Sequence, residues 1–128
     1  MKFVIRLGVP EMHRLWIELT EKAKTGKIST SERLLFVKWG KAMKLLSHDP
    51  FHPGLQTHEI KPLSMRYGIK VFQSYLENSN SRAMRMYWVY GSDRQSITVI
   101  GLEPHPENNK NGSYDRISLS DMPKIISQ

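Results

Sequence analysis

One stretch, Ser81–Pro106 (SRAMRMYWVYGSDRQSITVIGLEPHP), limits the folds open to this chain more than any other. Two apolar, aromatic runs flank a turn at Gly91-Ser92-Asp93-Arg94, the sequence pattern of a β-hairpin. Side chains alternate between faces along a strand. The first run therefore sets Met84, Met86, Trp88 and Tyr90 on a packing face, and Ala83, Arg85, Tyr87 and Val89 on the other. An arginine in the middle of a strand must be paired, or must face water or a ligand. The second run, Ile97–Leu102, is β-branched and apolar and ends in Glu103-Pro104-His105-Pro106. Arg85 and His105 together are a candidate site.

A hairpin needs a partner layer, and the first half of the chain supplies one. Residues 2–7 are a short β-prone run before Gly8 and Pro10. Pro10 suits a first helical position, and Met12, Leu15, Trp16, Leu19 and Ala23 recur at helical spacing up to a C-capping Gly26. A second helix opens on Ser29-Thr30-Ser31-Glu32, a capping box, and carries the apolar stripe Leu35, Trp39, Ala42 and Leu46. Lys38, Lys41 and Lys44 form a basic stripe on it, either a solvated face or a contact for RNA phosphates. Pro50 ends this helix, since it disfavours helical geometry at Asp49.

The turn-rich connection that follows holds His48, His52 and His58. Their irregular spacing, with no cysteine and no HExxH helix, makes zinc the weaker reading, and no cofactor is expected. Thr57–Lys61 reads as a short extended segment with His58 and Ile60 on one face and Glu59 and Lys61 on the other. Ile69–Glu77 reads as a strand, Asn78–Ser81 as a turn, Glu107–Ser113 as a polar loop, and Tyr114–Gln128 as a tail with a small strand at Arg116–Leu119 or a terminal turn.

Two helices followed by antiparallel strands predict an α+β fold in a single domain spanning 1–128. The helices cover one face of a small twisted, mainly antiparallel sheet. The other face is expected to stay open as a binding platform around Arg85 and Tyr87. With 128 residues and 39% hydrophobic content the chain can bury about two-thirds of its unfolded surface. The lack of cysteine excludes disulfides, and the charged N-terminal run fits neither a signal peptide nor a membrane helix, so a cytoplasmic setting without membrane contact is expected. A net charge of +7 favours polyanionic partners.

The order strand–helix–helix–sheet, the connector HPGLQTHEIKP, and the strands KVFQSY, RAMRMYWVYG and ITVIGLEPHP resemble the RelE-like toxins of bacterial type II toxin–antitoxin systems, over roughly residues 1–106. The resemblance implies a metal-independent endoribonuclease, an mRNA interferase acting on mRNA at the ribosome and restrained by a cognate antitoxin. In that chemistry the RNA 2′-hydroxyl attacks the adjacent phosphate, leaving a 2′,3′-cyclic phosphate and a 5′-hydroxyl. The protein supplies a base, a cation for the phosphorane and an acid for the leaving oxygen.

Carried over residue by residue, Arg85 falls where these toxins carry an arginine on the central hairpin strand and implies a phosphate clamp. A salt bridge to Glu59 or Glu103 is the plain alternative. His105 matches an acid/base histidine near the end of the last strand, or is a turn histidine between two prolines. His58 or Glu59 lies near the connector position of the general base, and a one-residue register decides between them. Lys61, Arg66, Lys70 and Arg82 imply RNA-backbone contacts, with a solvated-surface role the alternative for Arg66 and Arg82, and Tyr87 either stacks on a base or packs. The catalytic tyrosine of many relatives has only Tyr114 as counterpart, nine residues after His105. With the turn centred near Asp93, Arg85 pairs with about Gly101, and His105 follows some 13 Å further along an extended strand. Residues Glu103–Pro106 must then bend back for both to meet one phosphate, or His105 serves the neighbouring nucleotide. A non-catalytic or decayed module that binds an antitoxin or RNA is the alternative.

Overall fold

The computed structural model of the chain describes residues 2–7, 10–77, 84–91 and 93–103. Strand β1 (Val4–Arg6) leads into helices α1 (Pro10–Thr25) and α2 (Thr30–His48). A 3-10 turn at Pro53–Leu55, strand β2 (His58–Glu59) and helix α3 (Lys61–Tyr67) follow, then β3 (Phe72–Tyr75), β4 (Arg85–Tyr90) and β5 (Ser96–Glu103). The strands make one mixed sheet of order β1-β5-β4-β3-β2, with β1 parallel to β5 and the other pairs antiparallel. This is the expected α+β class, with the two N-terminal helices packed on the sheet.

Local chemistry explains the helical hairpin. Ser29 Oγ accepts from Glu32 N at 3.1 Å, and Ser29 N donates to Glu32 Oε1 at 2.9 Å, so the capping box is closed at both ends. The other carboxylate oxygen of Glu32 takes Lys22 Nζ at 2.5 Å, tying the last turn of α1 to the first of α2. Those contacts hold the Glu32 carboxyl down at about 2. Gly26 lies at φ +73°, where a side chain would be strained, and releases the chain from α1. Trp16 joins the helices, its ring 4.9 Å from Phe36 and edge-on to the fully buried Trp39 at 5.1 Å. Met12, Leu19, Trp39, Ala42 and Leu46 turn inward onto a core shared with Met86, Trp88, Ile97 and Val99.

Three expectations are corrected. Lys61 is not extended: the strand is only His58–Glu59, and Lys61 opens α3, which Pro62 starts and Gly68 ends at φ +70°. Seven residues with one fully buried apolar side chain, Leu63, give too little periodicity to read as a helix. The open face is closed as well: Gln73, Arg85, Tyr87, Val89 and Thr98 are all buried, opposite the equally buried Met86 and Trp88. Finally, Arg85 pairs with Glu103 and Tyr87 with Gly101. One residue of that shift comes from the turn, which pairs Tyr90 with Ile97, and one from a bulge that adds Ile100 opposite the Tyr87/Trp88 step. No helix among the described residues is long and apolar enough to cross a membrane.

Candidate functional site

The corrected register resolves which connector residue shares a face with the arginine. Directly opposed residues project to the same face of a sheet. His58 opposes Gln73, which opposes Tyr87, while Glu59 opposes Phe72, which opposes Trp88. His58 therefore belongs to the face of Arg85, and Glu59 to the aromatic face. Two strand spacings and two residues of rise put the His58 and Arg85 backbones ~12 Å apart, a gap that an arginine and a histidine can bridge around one phosphate.

On that face Arg85 is 4% exposed, Gln73 and Tyr87 not at all. Gln73 stands at the centre: its Oε1 accepts from Arg85 Nη1 at 3.3 Å, and its Nε2 donates to the Tyr87 hydroxyl at 3.3 Å. Arg85 Nε and Nη2 have no hydrogen-bond partner among the described residues. Those two nitrogens form the parallel edge with which a guanidinium grips a phosphate or a carboxylate. A buried donor left unmade costs about 1–3 kcal/mol, and more when charged. The edge is thus a strong demand for an anion. Glu103 is the residue opposite Arg85 on β5.

His58 is exposed, and its Nδ1 lies 3.2 Å from the carbonyl oxygen of Gln56. A carbonyl only accepts, so the ring donates through Nδ1, and in the neutral ring the lone pair then lies on Nε2, the tautomer a general base needs. Gln56 is the single non-glycine residue at positive φ among the described residues (φ +49°), a strained turn that presents this carbonyl.

The other expected contacts scatter. Lys61, Arg66 and Lys70 are exposed on and just beyond α3, with the Arg66 guanidinium 5.7 Å from the Tyr67 ring. Tyr87 is fully buried and hydrogen-bonded to Gln73, so it packs inside the sheet layer and offers no ring to a base. Arg82, His105 and Tyr114 lie outside the described residues. Because Glu103 faces Arg85, His105 is two residues from that pair rather than four, at most ~7 Å of chain. Among the described residues no three histidine or acidic side chains converge. His52 Nδ1 instead accepts from Gly54 N at 2.9 Å.

Gln73 is the residue that sequence reasoning missed. Its signal was a long polar side chain in an otherwise apolar run, VFQSYL, at the position facing the arginine's strand. No family model, no curated protein and no solved structure matches this chain.

Proposed function

We propose that this chain is a metal-independent endoribonuclease of the RelE-like toxin type, cleaving mRNA by attack of its own 2′-hydroxyl and held in check by an antitoxin in the cytoplasm. The observation that carries the reading is the Nε/Nη2 edge of Arg85, which has no hydrogen-bond partner among the described residues, on the same sheet face as His58. In this mechanism Arg85 grips the scissile phosphate and the charge that grows on it, with Gln73 fixing the guanidinium from the other side. His58 Nε2 takes the 2′-hydroxyl proton. His105, close in sequence to the Arg85–Glu103 pair, returns a proton to the leaving 5′ oxygen. Lys61, Arg66, Lys70 and Arg82 hold the RNA backbone on either side. The +7 charge speeds encounter with RNA and with an acidic antitoxin alike.

A second reading rests on one observation: Arg85 is nearly inaccessible and already holds Gln73, as a structural polar network would. The chain is then a non-catalytic module binding an antitoxin or RNA. The experiment that separates the two is induced expression of wild type, Arg85→Ala and His58→Ala, with cellular RNA examined for new 2′,3′-cyclic phosphate ends. The nuclease reading expects growth arrest and such ends from wild type only, at equal protein levels. Arrest without new ends, or arrest that survives Arg85→Ala, leaves the binding module standing.

A further inference from the structure

A concave surface between α2, the 3-10 turn and the end of β3 encloses about 500 Å³ and includes neither Arg85 nor His58. That size is typical of clefts that hold small ligands, which are mostly apolar with a few placed polar groups. Ala42, Leu45, Leu55 and Leu76 form the floor, every one of them aliphatic. At the rim stand Lys41, His52 and Tyr75, each able to donate a hydrogen bond.

The rim selects a head group. Lys41 is exposed and makes no ion pair among the described residues. Lys38 is already engaged, its Nζ 2.6 Å from Glu77 Oε1, so those two rim charges cancel. His52 Nδ1 accepts from Gly54 N at 2.9 Å, which leaves the proton of the neutral ring on Nε2. The rim thus offers one uncompensated positive charge and two neutral donors. That set suits a group with a single negative charge and two acceptor oxygens, a carboxylate, better than a dianionic phosphate.

The floor selects the body of the ligand. Flat rings and unpaired bases are held by stacking on aromatic side chains, and the floor has none. Aliphatic walls take up a hydrocarbon chain instead, with a gain that grows with every methylene removed from water.

We infer that the α2–β3 cleft binds a small aliphatic carboxylate of the fatty-acid class, with its chain along Ala42, Leu45, Leu55 and Leu76 and its carboxylate at Lys41, His52 and Tyr75. The inference does not depend on the ribonuclease reading, because it concerns other residues and is tested by binding alone.

The test is an amide-resolved NMR titration of the full chain with decanoate, octanoate, octanol and benzoate. Decanoate is expected to give saturable shifts at the amides of Lys41, Leu45, Gly54 and Leu76, with a Kd of about 1 mM or below. Octanoate, shorter by two methylenes, binds about four-fold more weakly, the loss for two methylenes half removed from water. Octanol keeps the chain without the charge, and benzoate keeps the charge without the chain. Each binds at least about five-fold more weakly than octanoate. Lys41→Gln weakens decanoate binding about five-fold, whereas Lys41→Arg, which keeps the charge, holds it within about two-fold. Arg94→Gln removes a charge from the β4–β5 turn, beyond the far end of β4 from Tyr75 and its partner Arg85, and also stays within about two-fold. The same spectra report whether each variant is folded. No saturation by about 10 mM decanoate, or shifts centred on other amides, overturns the inference. So does octanol or benzoate matching octanoate, or equal loss in Lys41→Gln and Arg94→Gln.

Discussion

Strands β3 and β4 present two faces made from alternate residues of the same chain, and the faces solve burial in opposite ways. On one, Phe72 stacks on Trp88 at 4.7 Å, Tyr90 stands edge-on to both, and the exposed Phe51 closes the row. Its buried indole is satisfied: Trp88 Nε1 donates to Ser74 Oγ at 2.9 Å, which also meets Thr57 Oγ1. On the other, Arg85, Gln73 and Tyr87 bury a charge and complete only part of its hydrogen bonding. The aromatic face is built to hold the sheet together. The polar face leaves two buried donors of Arg85 without a partner among the described residues, a cost that the Trp88 indole does not carry.

The difference is measurable, and the largest effect belongs to the aromatic face. Trp88→Ala removes a fully buried indole from three ring contacts and is expected to cost about 3–5 kcal/mol in denaturant unfolding. Arg85→Met keeps volume and removes the charge, so stability is expected to hold or rise by up to about 2 kcal/mol, while RNA cleavage is lost. If Arg85→Met destabilises as much as Trp88→Ala, the two faces are alike and the arginine is structural. Ser29→Ala opens the α2 capping box and is expected to cost about 1 kcal/mol, well away from either face.

The smallest effect is a pH dependence confined to the helices. Glu32 is held near 2 against an ordinary 4.5, first by Lys22 and then by the Ser29 cap. A carboxyl lowered by folding contributes stability in full above its unfolded value and loses it as pH falls through the folded value. Thermal midpoints should therefore decline between about pH 4.5 and pH 2, and Glu32→Gln should flatten part of that decline. Asp93, lowered chiefly by the Gln95 backbone N–H, retains its share in that variant.

How legible the chain was follows the same division. Local rules wrote α1, α2, their caps and the hairpin plainly, because Ser29, Glu32, Gly26 and the Trp39 stripe act within a few residues of themselves. The site depended on what no local rule carries. The bulge at Ile100 moves Arg85 from Gly101 to Glu103, and nothing in ITVIGLE marks which residue is extra. Alternation along RMYWVY was read as inside and outside, yet a tyrosine, a glutamine and an arginine long enough to bond one another can close a face that their polarity assigns to water. The choice between His58 and Glu59 turned on pairing with a strand fourteen residues away, and Gln73 gained its meaning only beside Tyr87.

The parallel pairing of β1 with β5 has a consequence in time. Val4 meets Ser96 and Arg6 meets Thr98, so β1 closes on a strand made some ninety residues after it. Among the described residues β1 has no other strand to join, and such distant closure is slow compared with helix formation. Folding as the chain emerges can raise the α1–α2 hairpin early, but the sheet face that carries Arg85 and His58 is complete only once β5 arrives. Whatever this face does, the growing chain cannot do it.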